Sequence, residues 1–179
     1  APREDIVIAW IDQESMDFMD DNDVQFPWPR SVYDAVLRYL ADGGARAVGF
    51  DVLFDQRGYV AEDDTAFGEA LAAVPNTALV TKLRAEGRAG GRNADETARQ
   101  EERARALGPL AAPDATVASG YVLPIEELER GARWLGFANV TPDEDKVYRS
   151  YDVARTLVDA SGEPVGAVPS FAAATLLAG

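Results

Sequence analysis

Ile6-Val7-Ile8-Ala9-Trp10-Ile11 running into Asp12-Gln13-Glu14-Ser15, and Ala47-Val48-Gly49-Phe50 running into Asp51-Val52-Leu53-Phe54-Asp55, read as two β-strands that each end in carboxylates. Between them stand Phe26-Pro27-Trp28-Pro29-Arg30 and a helical stretch, so the order strand, loop, helix, strand predicts a right-handed parallel crossover. Ligands of such sheets gather beyond the carboxyl ends of the strands, which places both acidic ends at one shared crevice.

The residues around these strands fit the same plan. Met16 to Val24 carries Asp17, Asp20, Asp21 and Asp23 and reads as a solvated loop, with four or five helical turns as the alternative. Ser31 with Asp34 looks like a capping pair, and Val32, Ala35, Val36, Tyr39 and Leu40 recur at the spacing of an apolar helix stripe that Gly43-Gly44 ends. A second helix is expected to open at Asp63-Asp64 and bury Phe67, Ala70, Leu71 and Val74, and Thr77-Ala78-Leu79-Val80-Thr81 then supplies a third strand. Residues 84–114 turn to Arg, Glu, Ala and Gly, with Gly87, Gly90 and Gly91 at the front, and read as a flexible charged insertion, exposed and partly helical over residues 96–107.

Order returns at Thr116-Val117-Ala118-Ser119-Gly120-Tyr121, followed by a short helix begun by Pro124 and a strand at Trp134-Leu135-Gly136-Phe137-Ala138-Asn139. Val147 to Val158 alternates like a strand, Asp159-Ala160-Ser161-Gly162 suits a hairpin turn, and Ser170 can cap a final apolar helix. The sum is one domain over residues 1–179: a three-layer α/β/α sandwich with a central, mainly parallel sheet and an added antiparallel hairpin near the C-terminus.

Composition narrows the chemistry. With 31 acidic against 17 basic residues the formal net charge is −14, which opposes phosphate backbones and anionic lipid surfaces and argues against nucleic acid as a partner. There is neither cysteine nor histidine, so thiolate chemistry, Ser-His-Asp triads and Cys/His zinc sites are excluded. No run of about 18 apolar residues is present to span a bilayer. The start, Ala1-Pro2-Arg3-Glu4-Asp5, is unlike a signal peptide and lacks an initiator Met, which suggests a piece of a longer protein.

Asp12 and Glu14 would point the same way along a continued strand and, with Asp51 or Asp55, form a carboxylate cluster suited to a hard cation such as magnesium or calcium. The plainer alternative is that Asp12 caps a turn while Asp51 accepts hydrogen bonds from backbone or from Arg30. Trp28 and Arg30 could wall and grip an anionic ligand, or Pro29 could open a helix with Trp28 plugging the core. Asp143-Glu144-Asp145 with Arg149 lacks the glycine and distal glutamate of an EF-hand and reads as a polar turn. Asn139-Val140-Thr141 fits a glycosylation acceptor but is followed by Pro142, and is discounted.

Taken in order, Ile8-Ala9-Trp10-Ile11-Asp12-Gln13-Glu14-Ser15, Trp28-Pro29-Arg30, Gly44-Ala45-Arg46-Ala47-Val48-Gly49-Phe50-Asp51-Val52-Leu53-Phe54, Leu135-Gly136-Phe137-Ala138-Asn139 with Asp143, Asp145 and Arg149, and Pro169-Ser170-Phe171-Ala172 resemble the CHASE2 domain. The resemblance implies an extracytoplasmic (periplasmic or extracellular) sensory module of a bacterial membrane receptor, joined through flanking transmembrane helices to a cytoplasmic cyclase or kinase. Two departures stand out: Lys146 occupies a turn position where the family commonly has glycine, and a later family segment is missing, which implies that the chain holds the first part of the domain.

The expected function is therefore ligand sensing without catalysis and without a cofactor, in a homodimeric receptor whose stimulus is an unidentified small molecule or ion. The expected ligand-binding residues are Asp12, Glu14, Trp28, Arg30, Asp51 and Asp55. A magnesium-dependent phosphohydrolase using the strand-end carboxylates, and a dimerisation or spacer module that senses nothing, are the competing readings.

Overall fold

In chain order the elements are helix α1 (Gln13–Asp21), helix α2 (Arg30–Asp42), strand β1 (Val48–Phe50), helix α3 (Ala61–Ala73), strand β2 (Thr77–Leu83), helix α4 (Ala94–Leu107), strands β3 (Val117–Ala118) and β4 (Tyr121–Val122), helix α5 (Glu126–Gly131), strands β5 (Trp134–Phe137), β6 (Ala154–Val158) and β7 (Pro164–Pro169), and helix α6 (Phe171–Ala178). The computed structural model describes residues 5–84, 93–107, 116–140, 145–146 and 151–179. Strand β2 is the centre of the main sheet. It runs parallel to β1, with Val48 opposite Thr77, and parallel to β5, with Thr81 opposite Phe137, and it meets β4 antiparallel at Lys82–Leu83.

Side-chain alternation sorts the two faces of this sheet. Val48 and Phe50 of β1, with Leu79, Leu135 and Phe137, join a buried cluster that also holds Tyr33 and Leu37 of α2 and Phe67 and Leu71 of α3. Tyr33, Phe50, Phe54 and Phe67 pack edge-on or tilted with ring centroids 5.1–6.4 Å apart, a favourable use of the ring quadrupoles. On the other face lies α6, and the sheet is stripped of side chains to admit it. A Cβ on Gly136 would sit 2.6 Å from the Phe171 Cα and the Ser170 carbonyl oxygen, and one on Gly49 would sit 2.9 Å from the Phe171 ring. Helices on both faces of a mainly parallel sheet give the expected α/β sandwich.

The C-terminal hairpin also forms as expected. Strands β6 and β7 pair antiparallel around Gly162 at φ 86°, and the Asp159 carboxylate accepts from the backbone N–H of Ser161 and Glu163. Strand β3 joins this hairpin in a second, three-stranded sheet. Ser170 caps α6 by accepting from the Ala173 N–H.

Several expectations need correction. Residues 6–11 form no strand; Ile6, Val7, Ile8, Trp10 and Ile11 are 43–88% exposed and join neither sheet. Asp12, into which they run, is the N-cap of α1, with its carboxylate accepting from the Ser15 N–H at 2.9 Å. The acidic stretch thus becomes helix instead of loop, its repulsion offset by Met16 and Met19 packing against the core.

Helix α2 is rotated from its expected stripe: it buries Arg30, Tyr33 and Leu37 while Val36 and Tyr39 face water, and Ser31 donates its hydroxyl to Asp63 instead of capping its own helix. The helical part of the insertion is not wholly exposed, because Glu96, Gln100 and Ala104 of α4 are buried, with the Ala104 backbone against Gly166 of β7. Residues 116–121 give two short strands broken at Gly120 instead of one, and the expected strand from Val147 begins at Ala154. The three insertion glycines, Asp143, Glu144, Arg149 and Thr141 lie outside the described residues.

Candidate ligand-binding site

Strands β1, β2 and β5 point the same way, so their carboxyl ends share one edge of the sheet. There a cleft of ≈ 410 Å³ is lined by Asp51 and Leu53 after β1, by Val80, Thr81 and Lys82 of β2, and by Ala138 and Asn139 after β5. That volume lies in the range of small-ligand sites, about 300–1,000 Å³. The wall is well fixed: Ala138 N–H donates to the Thr81 carbonyl at 3.2 Å, and the Asn139 Oδ1 accepts from the Leu83 N–H at 2.7 Å. The second bond uses the amide's acceptor end and leaves Nδ2 as a donor. Lys82 is the one exposed residue of β2, and Asp51 is exposed as well; neither side chain has a polar partner among the described residues.

Of the six expected binding residues, Asp51 alone lines this cleft. Asp12 is fully exposed at the head of α1, where the Ser15 hydroxyl and then its backbone N–H hold the carboxyl below the usual aspartate range. Glu14 follows in the first turn of the same helix, near its positive pole. Asp55 lies in the loop after β1, 3.5 Å from the Gln56 side-chain amide. Trp28 belongs to the core, only 9% exposed and 6.4 Å from the Tyr33 ring.

Arg30 is committed elsewhere in the fold. Its Nε donates to Asp64 Oδ1 at 3.1 Å, its Nη2 donates to the Gln56 carbonyl, and its guanidinium lies 4.7 Å over the Phe54 ring. Asp64, fully buried, also accepts from the Gly58 N–H through both oxygens at 3.0 and 3.1 Å. The plainer alternative for Trp-Pro-Arg, a rigid helix entrance with the Trp in the core, describes this arrangement, with Asp64 in place of Asp51 as the partner of Arg30. The carboxylate cluster for a hard cation does not assemble: Asp12 and Glu14 sit on a helix, Asp51 at a strand end, and no acidic group of three suited to a metal occurs among the described residues.

Lys82 and Asn139 are the cleft residues that the sequence reading did not single out. Both follow directly from the rule that singled out Asp51, since each stands at the carboxyl end of a strand predicted in the right place. A second depression of ≈ 380 Å³, between the end of α1 and the start of α2, is lined by Asp20, Asp23, Val24, Gln25, Phe26, Pro29 and Tyr59.

The carboxyl edge of the parallel sheet thus carries a small cleft whose two charged side chains have no polar partner among the described residues. The chain belongs to the CHASE2 domain family, whose model matches residues 1–179. That family is one of extracytoplasmic sensory domains, not of catalysts. No curated protein and no solved structure matches the chain. No described helix is long and apolar enough to cross a membrane.

Proposed function

We propose that the chain is the ligand-sensing input of a membrane-anchored receptor with a cyclase or kinase output, and that the strand-end cleft is its sensing seat. The observation that carries this reading is the pair of opposite charges, Asp51 and Lys82, both unpaired among the described residues in one cleft. Family membership supplies the sensory class. A stimulus acts by binding two arrangements of the domain, or of its homodimer, with different affinity; each tenfold bias requires about 1.4 kcal/mol of differential binding. Exposed Val36 and Tyr39 on α2 and Leu176 and Leu177 on α6 are apolar positions that a homodimer would cover.

The test is signalling output from the full-length gene product carrying Asp51→Asn or Lys82→Met. Loss of stimulus response with the domain still folded is the expected result, whereas unchanged response in both variants removes the cleft from sensing. The flanking sequence decides the receptor half: apolar runs of about 20 residues beside the domain and a cyclase or kinase beyond them support it, and a gene product without either overturns it.

A further inference from the structure

The charges of the cleft are separated in a way that specifies the ligand. Asp51 follows β1, Lys82 is the last residue but one of the central strand β2, and Asn139 follows β5, so a carboxylate stands on one flank and donors stand at the centre and on the other flank. Phe50 pairs with Leu79, which carries Asp51 to the level of Val80. Lys82 is then one strand over and two residues further on, about 8 Å between Cα atoms for strands ~4.8 Å apart rising ~3.3 Å per residue. By the same alternation both belong to the sheet face of Gly49 and Val80. Elsewhere the enclosed charges close onto each other: Arg30 on Asp64, Arg99 and Arg103 on Glu129, Arg155 on Asp152. Asp51 and Lys82 face one cavity and do not.

We propose that this cleft binds a small zwitterion of the α-amino acid type. The ligand ammonium pairs with Asp51, its carboxylate takes the Lys82 ammonium and the Nδ2 of Asn139, which has no acceptor among the described residues, and an apolar substituent lies against Leu53, Val80 and Ala138. Lys82 is what admits the carboxylate, because a chain with net charge −14 otherwise repels anions. This assignment rests on the strand-end cleft being the sensing seat.

Isothermal titration of the chain with L-leucine, with its deaminated half 4-methylpentanoate and with its decarboxylated half 3-methylbutylamine tests it. L-leucine is expected to bind at least about tenfold more tightly than either half, a difference of about 1.4 kcal/mol. Asp51→Asn is expected to weaken L-leucine and the amine but not 4-methylpentanoate, and Lys82→Met to weaken L-leucine and 4-methylpentanoate but not the amine. Either half binding as tightly as L-leucine, no binding of L-leucine, or binding unchanged in both variants overturns the zwitterion. Failure of the sensing seat is told apart by a melting-temperature screen of singly charged and neutral metabolites. A shift that Asp51→Asn abolishes keeps the seat and refutes the zwitterion, and shifts that survive both substitutions refute the seat as well.

Discussion

Among the places where this molecule holds an arginine or lysine near an aspartate, two are built in opposite ways. Behind β1, Arg30 and Asp64 are buried, bonded at 3.1 Å, and further satisfied by the Gly58 N–H and the Gln56 carbonyl, so every charge there is spent inside the fold. At the carboxyl edge of the sheet, Asp51 and Lys82 line one cleft and touch no polar partner among the described residues. A satisfied buried pair fixes geometry, since losing one partner strands the other charge away from water. Exposed charges at a surface cleft stay hydrated and are not committed to the fold among the described residues. Proximity of charge in sequence therefore says less about function than whether the fold has already used it.

The largest effect is expected where charge is spent. Asp64→Ala leaves the Arg30 guanidinium, the Gly58 N–H and the loop after β1 without their acceptor, and a loss of about 3–5 kcal/mol in denaturant unfolding is expected. A loss under ~1 kcal/mol would show that water replaces the carboxylate and would erase the contrast between the two regions. Next comes the packing of α6 on the sheet. Gly136→Ala drives a methyl into the backbone of Phe171 and Ser170, and since α6 cannot yield there without leaving the sheet, about 1–3 kcal/mol is expected from a shift in the urea midpoint. Ser170→Ala removes only the cap of the same helix and should cost about 1 kcal/mol by the same measurement.

How much of this was legible in sequence differs between elements, for physical reasons. The hairpin turn and the α6 cap could be read because Asp159 and Ser170 act on backbone groups two to four residues away, within the reach of local sequence. Residues 6–11 misled because β-branched and aromatic composition reports fit to a pleated surface, whereas a strand also needs a neighbour, and Asp12 turns the chain into α1 at that point. Helix α4 carried its docking face at i, i+4 and i+8, but the residues are Glu96, Gln100 and Ala104. Two of them bury through polar contacts: the Gln100 side-chain amide bonds the Tyr121 carbonyl, and Glu96 accepts from the Leu123 N–H. An apolar template does not detect such a face. In the cleft, Asp51 was visible from its place after β1, and Lys82 and Asn139 were visible by the same rule applied to β2 and β5. Trp28 and Arg30 stood out as unusual residues, and their distinctiveness belongs to the core.

A smaller effect is expected at Asp12, where a carboxylate is used by the fold but in full contact with water. The Ser15 hydroxyl, followed by its backbone N–H, favours the ionised form and depresses the folded pKa below the unfolded value of about 3.9. The sign follows: the contribution is fully present above the unfolded value and is lost as pH falls through the folded one. Helix α1 has no buried residue, so the loss should appear as local fraying in amide exchange across Gln13–Asp21, with little change in global melting. Asp12→Ala should speed that exchange at neutral pH, and the gap to the wild type should narrow as pH falls below about 4. A gap independent of pH would mean that the protonated Asp12 carboxyl caps the helix as well as the ionised one.

The smallest stability effect is expected at the cleft itself, and it is the one that separates the two regions most sharply. Asp51→Asn and Lys82→Met change exposed side chains without a partner among the described residues, so each should leave the denaturation midpoint within about 0.5 kcal/mol of the wild type. Asn keeps the size of Asp and Met keeps most of the lysine stem, so packing against Leu53 and Val80 is retained while the charge is removed. A neutral result combined with lost stimulus response assigns the charges to recognition, because a fold-supporting role would lower stability first. Destabilisation by Asp51→Asn on the scale of Asp64→Ala would instead place Asp51 among the charges already spent on the fold. The two aspartates would then differ only in depth, and the cleft would lose its claim to a ligand.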